Sequence, residues 1–316
     1  MSTPALKGPA WVTVRQYRRT LWLAGAVAVL AVVVIGGLRI WDMQYPDVRT
    51  QDGYWGRAED NSGYPWLEGA MRSFSDGSLA IPFAVALFVA GPMVAREFES
   101  GTYQLSLTQS VSPAAWLRAK LTVVTTAALA AVLVLTGAYA LGWARVEDSY
   151  GLLWSDAGPY MVLGTTLVAY TLLAVAVGAL TGLLVRRTLP AMAVAGLLTG
   201  IVLLVMDFNR WDFLSPLTVT NTAVIENASV LYAPDNGLLM AQGLVAADGS
   251  RLDGWFCGYD VPAKSCRPDV EITAQYLDYH PESHFWPTQL IETGIVLALA
   301  ALAVFAAFRV LRARHP

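Results

Sequence analysis

Charge is the first thing this sequence lacks. Only 14% of its 316 residues are Asp, Glu, Lys or Arg, while 55% are hydrophobic. A soluble domain carries about 25% charged residues, so the deficit excludes an ordinary soluble globule and points to an integral membrane protein. Histidine is scarce too: His280, His284 and His315 are the only three. No nucleophile–base set can be assembled from them, and no catalytic residue is expected. His280 and His284 stand four apart, but Pro281 between them argues against a regular helix, and no Cys completes a ligand set. They read as polar residues of a solvated segment, and no metal site is expected. The chain has no Gly-x-x-x-x-Gly-Lys-Ser/Thr phosphate loop, no His-Glu-x-x-His and no Gly-x-Ser-x-Gly. No phosphate-binding motif is therefore visible in it, and nothing in it points to nucleic acid.

What the chain does have is six apolar runs, near Leu21–Leu38, Leu79–Ala95, Leu121–Trp143, Tyr160–Val185, Leu189–Met206 and Leu290–Phe308. Each is close to the roughly 17–25 residues that cross hydrocarbon as a helix. Arg186-Arg187 followed by Pro190 separates the fourth from the fifth. Segments 1–20, 96–120, 186–188 and 309–316 hold 12 Lys/Arg and two acids; segments 39–78, 144–159 and 207–289 hold nine Lys/Arg and 21 acids. The basic set is expected on the cytoplasmic side, with both termini. The expected organisation is an N-terminal interfacial segment (1–20), spans one to five (21–206) with an outer loop at 39–78, an extracellular cap (207–289), and a sixth span with a basic tail (290–316). The fold class is an all-α integral membrane protein of a cell membrane, of bacterial look.

Several residues stand out against this layout. Cys257 and Cys266 share the outer segment 207–289, an oxidising place in this orientation, and are expected to close a short disulfide loop. Pro82 and Pro92 lie in the second span and should kink or shorten it; such breaks can mark a cavity-lining helix. Glu292 stands at the start of the sixth span after Phe285-Trp286-Pro287-Thr288-Gln289. It reads either as a group lining the outer end of a substrate path or as a helix-start carboxylate hydrated by headgroup water. Asp207 and Arg210 read as solvated charges at the rim of the fifth span.

The longest polar segment between spans on the basic side runs from Arg96. Arg96-Glu97-Phe98-Glu99-Ser100 extends the second span by about a turn, Gly101 is a stop, and Ser112-Pro113 is a cap followed by a first turn. Trp116, Arg118 and Lys120 mark the interface at the head of the third span. The product is a helix–turn–helix elbow over 96–113, longer than a span connection needs.

The ordered set Arg96-Glu97, Glu99, Gly101-Thr102, Leu105, Thr108-Gln109-Ser110-Val111-Ser112, Trp116-Leu117 and Lys120-Leu121 resembles the inner elbow of ABC-2-type permeases, more narrowly exporter permeases of high-GC actinobacteria. Phe285-Trp286, Gln289 and Glu292 are similar to the same group, and the 207–289 segment looks like the capped outer loops of ABCG-like exporters. The resemblance implies that the elbow is a coupling helix seated on a separate ATPase subunit, which would hold the ATP and Mg and need no cofactor on this chain. It also implies a pair of permease subunits, expected as a homodimer. Arg96, Glu97, Glu99, Gly101 and Thr102 become the candidate docking residues, and Gln289, Glu292, Pro82 and Pro92 the candidate substrate path. The implied function is the permease of an ATP-driven exporter of hydrophobic or amphipathic cargo. A sensing or self-resistance subunit that binds an extracellular ligand is the alternative, and a membrane enzyme comes third.

Overall fold

The computed structural model describes residues 9–49, 55–103, 112–147, 149, 151–222, 231–234, 236–254 and 269–314. Cys257 and Cys266 lie outside them, as does the elbow from Gln104 to Val111. The chain divides into two compact units, Met1–Phe208 with Gln289–Pro316, and Asn209–Thr288.

Among its described residues the first unit is built of helices with one short hairpin of two-residue strands. A short α1 (Pro9–Gln16) leads into α2 (Arg18–Asp42), whose outward face carries Trp22, Leu23, Val29 and Leu30 exposed. Such a face suits hydrocarbon rather than water. The hairpin β1 (Val48–Arg49) and β2 (Trp55–Gly56) precedes α3 (Gly63–Ser78), an amphipathic helix that buries Leu67, Met71 and Ser75 against its neighbours. The second span is α4 (Ile81–Ala84), a π-helical turn (Val85–Ala90) and α5 (Gly91–Glu99). The third is α6 (Pro113–Val146). Then come α7 (Ala157–Leu163), α8 (Thr166–Val185), α9 (Thr188–Asn209) and α10 (Phe285–Arg314). Among the described residues six helical stretches are long and apolar enough to cross a membrane, and the protein is a multi-pass membrane protein.

Local chemistry explains most boundaries. Ser112 caps α6, accepting from the Ala115 amide at 3.2 Å, with Pro113 in the first turn. Gly101 takes φ +72° just past α5, the left-handed geometry that ends helices. Arg186 ends α8 at φ 58°, its amide donating to the Gly182 carbonyl. The second span stays helical from Ile81 to Glu99 through both prolines. The Gly91 amide bonds the Ala86 carbonyl, five residues back, and the ladder absorbs one extra residue between Pro82 and Pro92 as a π turn.

That turn lies where the packing is tightest. Gly178 and Gly182 of α8 form a Gly-x-x-x-Gly face; a Cβ on Gly178 would fall 2.3 Å from Ala90 Cβ, and one on Gly182 2.8 Å from Val94 Cβ. On the other side a Cβ on Gly91 would fall 2.9 Å from Met192 Cα of α9. Small residues of this kind let membrane helices approach closely. The helix α8 is buried on nearly every face and is the axle of the unit.

The fourth span departs from the expected single run. It is broken at Gly164-Thr165 into α7 and α8, with Gly164 at φ −106°, ψ −149°. The chain is mostly helical, as the all-α expectation has it, and the second unit adds strands to that frame. It is built on a four-stranded antiparallel sheet ordered β3 (Leu217–Asn221), β6 (Ile272–His280), β4 (Leu238–Ala246), β5 (Arg251–Asp253). Leu244 and Ile272 form its small core with Leu252 and Val270. Arg210 is buried rather than solvated. His280 is also buried, ring-stacked with Trp211, and its Nε2 lies 3.0 Å from the Trp211 carbonyl.

Candidate functional site

Two polar clusters of the first unit hold the residues singled out by sequence. The first is the elbow. At the end of α5 and just past it, Arg96, Glu99, Ser100, Gly101 and Thr102 are exposed, whereas Glu97 and Tyr103 are buried. The split follows from helical spacing, because residues two apart point to opposite sides. Glu97 turns into the protein. One carboxylate oxygen accepts from Lys120 Nζ at 2.6 Å and the other from Trp116 Nε1 at 2.9 Å. Lys120 is therefore not an interface residue; it is buried. Tyr17, at the N-terminus of α2, donates to the Met93 carbonyl at 3.2 Å and lies under the Lys120 ammonium. Burial pushes the Tyr17 phenol well above its ordinary range, and the Glu97 charge adds to this. Phe98, Tyr103 and Trp116 pack ring on ring, with centroids 4.4–6.2 Å apart.

Glu99 has a different partner. Its Oε2 accepts from the Thr188 amide at 2.9 Å and from the Thr188 hydroxyl, at the start of α9. A carboxylate there also meets the positive end of the α9 dipole. Arg186 reaches over the Phe98 ring at 5.3 Å. The elbow is thus fastened on one side to α6 through Glu97 and on the other to α9 through Glu99. Between these anchors Arg96, Gly101 and Thr102 form an outward ridge, with the Thr102 hydroxyl 2.9 Å from that of Ser100.

The second cluster closes the break in the fourth span. A broken membrane helix leaves backbone groups without intrahelical partners, and in hydrocarbon each is costly. The Gln289 side chain supplies what is missing. Its Oε1 accepts from the Thr165 and Thr166 amides at 3.0 and 3.2 Å, and its Nε2 donates to the Tyr160 carbonyl at 2.6 Å. Gly164 makes room: a Cβ there would lie 2.2 Å from the Gln289 amide. Three residues on, Glu292 is fully buried, its carboxyl oxygens accepting from the Tyr170 hydroxyl at 2.6 Å and the Tyr160 hydroxyl at 3.0 Å. The reading of Glu292 as a hydrated helix-start carboxylate gives way to a buried one. Thr165 and Thr293 hydroxyls meet at 2.7 Å beside it. The sixth span thereby holds both halves of the fourth.

The structure brings Gln289 and Glu292 together, but Pro82 and Pro92 bracket the π turn instead. Sequence reasoning missed Tyr160 and Tyr170, although two tyrosines inside an apolar run are themselves a signal of a buried hydroxyl partner. Among the described residues no group of three or more His, Cys, Asp or Glu is placed to hold a metal ion.

Residues 23–210 match the family model described as ABC-2 membrane transporter related. That stretch takes in the elbow, the π turn and the broken span, and stops short of Gln289 and Glu292. No curated protein and no solved structure matches the chain.

Proposed function

The chain belongs to the ABC-2 membrane transporter related family, and from that premise we propose that it is the permease of an ATP-driven exporter whose ATPase is a separate chain. As an ABC transporter membrane subunit it is the transport component of its complex. The proposal adds direction, coupling and cargo. The observation that carries it is the elbow's mounting: an exposed ridge of Arg96, Gly101 and Thr102, anchored by Glu99 to Thr188 and by the buried Glu97–Lys120 pair. A ridge so fastened passes a push from a docked subunit to α6 and α9 at once, instead of losing it in a flexible loop.

On this reading ATP and Mg stay on the ATPase, Arg96, Glu99 and Thr102 meet it, and Glu97 is the member of the docking set that works from behind. The elbow side is cytoplasmic, as the basic bias supports, and two permeases pair in a cell membrane. The cargo is hydrophobic or amphipathic, in keeping with spans that carry few charges. The Gln289–Glu292 cluster, at the opposite end of the spans, is the part of the path that must rearrange if the fourth span is to change shape.

The test uses the full chain purified with the ABC ATPase that accompanies it and reconstituted in proteoliposomes. The permease should raise ATP turnover and support ATP-dependent movement of an amphipathic dye. Arg96→Glu and Thr102→Arg should abolish both and weaken ATPase retention, while protein yield and thermal unfolding stay unchanged. Full coupling in both variants would sink the docking assignment. Ligand binding to the 209–288 unit without ATP-dependent flux would favour the sensing alternative.

A further inference from the structure

A cavity of about 480 Å³ lies between α6, α8 and α10, away from both clusters described above. Ligand pockets run from about 300 to 1,000 Å³, so it has room for part of an amphipathic molecule. Thr122, Thr125 and Thr126 of α6 line one wall, and Val175 of α8 and Ala300 and Val304 of α10 are among the apolar side chains facing them. The spacing i, i+3, i+4 puts the three threonines on one helix face. All three lining helices are membrane spans, and no charged residue lines the cavity.

Several other threonines of the spans are already satisfied. Thr171 and Thr181 donate to carbonyls of their own helix, at 2.8 and 3.1 Å, and Thr165 meets Thr293. Among the described residues Thr122, Thr125 and Thr126 make no hydrogen bond with the protein. A hydroxyl in an apolar medium without a partner is unfavourable, and three in a row facing one cavity call for an outside acceptor. The mouth of the cavity includes Thr122, Thr126, Leu297 and Ala301, all exposed on the outer surface of the membrane-spanning helices α6 and α10. What reaches such a mouth is lipid. A charged solute finds no counter-charge there, and a bare hydrocarbon leaves the hydroxyls unsatisfied.

We propose that this cavity is a site for one ester-linked membrane lipid, its ester carbonyls accepting from Thr122, Thr125 and Thr126 and the upper part of its acyl chain lying against Val175, Ala300 and Val304. The proposal does not rest on the transport reading. The site would hold whether or not the chain moves cargo.

The full chain in nanodiscs is labelled with a trace of phosphatidylcholine bearing a diazirine close to the ester of one acyl chain, and the adducts are mapped by peptide. Label should concentrate on peptides containing 121–126, 172–176 and 297–304, above lipid-facing peptides around Leu133 and Leu204. Excess unlabelled ester lipid should compete for the cavity label, and a dialkyl-ether lipid should compete about fivefold more weakly, the factor expected for one lost hydrogen bond. The triple variant Thr122→Val, Thr125→Val, Thr126→Val should lose cavity label by at least that factor and keep the outward label. Uniform labelling of all bilayer-facing peptides, or equal competition by ether and ester lipids, overturns the proposal; the competition needs no variant. Unchanged cavity label in the triple variant overturns it as well.

Discussion

Two carboxylates two residues apart on a helix point about 200° away from each other, and Glu97 and Glu99 show what that separation achieves. Glu97 enters a buried ion pair with Lys120, at 10% and 3% side-chain exposure. Removing one partner of such a pair strands a charge and costs about 3–5 kcal/mol, whereas replacing both with apolar groups of similar size is often neutral. Glu97→Gln and Lys120→Met are therefore each expected to lower the thermal unfolding temperature in detergent sharply. The combination Glu97→Leu with Lys120→Met should recover only part of the loss, because the buried Trp116 indole N–H then lacks its acceptor, a cost of about 1–3 kcal/mol. If the double variant is as unstable as the sum of the two singles, the pair is not the coupled unit described here. Glu99→Gln, on the exposed side, should leave stability nearly unchanged and act on coupling. The sequence showed both acids as candidates for docking and could not separate them. Their roles depend on Lys120 and Thr188, partners 23 and 89 residues away, and no local pattern encodes such distances.

Elements were legible where the signal is local and hidden where it is not. Gly101 and Ser112-Pro113 were readable as stop and start because capping chemistry acts within one turn, and the apolar runs were readable from length alone. The break at Gly164 was not, because the group that makes it tolerable is Gln289, in another span. The sheet of the second unit was missed for a related reason. Its central strand, Ile272–His280, is buried on both sides of much of its length, so it lacks the alternation that marks a half-exposed strand. The break yields a sharp expectation. Gln289→Ala leaves two amides and a carbonyl buried without that side chain, each worth about 1–3 kcal/mol. It should lower the thermal unfolding temperature markedly, and an unchanged temperature would show that this side chain does not hold the break. The glycine face of α8 gives a second. Gly178→Ala drives a methyl into Ala90 and should cost about 1–3 kcal/mol by overpacking. Gly36→Ala on α2, where an added Cβ meets nothing within 4 Å, should be neutral or stabilising by up to about 1 kcal/mol. Equal unfolding temperatures for the two would show that the close approach of α8 to the π turn is not a constraint.

At the scale of the whole molecule, the two units should answer acid at different points, because different groups hold them. In the second unit His280 is kept below its ordinary value of 6.5, first by burial and then by the neighbouring His284. The geometry explains why. If Nε2–H donates to the Trp211 carbonyl, the Nδ1 of His280 must accept from His284 Nδ1–H at 2.9 Å, and a second proton on His280 removes that acceptor. Asp212 is the nearby acid that opposes the shift, as does the Trp211 carbonyl. Since the folded value is depressed, the unfolded chain takes up a proton that folded His280 refuses. Stability of this unit is therefore full above 6.5 and falls as pH drops from there toward the folded value. In the first unit the exposed Asp47 is held below its ordinary 3.8, chiefly by its hydrogen bonds to Arg145, a guanidinium that also reaches the buried Asp42 at 3.1 Å. The Asp47 contribution is present above 3.8 and fades only as pH falls through the lower folded value. Hydrogen exchange across a pH series on the full chain in nanodiscs, corrected for intrinsic rates, should show β6 and the Arg210–Asp212 turn loosening as pH falls below 6.5. Exchange around Asp42 and Arg145 should hold until pH approaches that of carboxylate titration. His280→Gln keeps a donor for the Trp211 carbonyl and cannot take the second proton, so it should erase the first step and leave the second in place. Simultaneous loosening of both units in the parent chain, or a first step that survives His280→Gln, would show that the histidine pair does not set the acid response of the second unit.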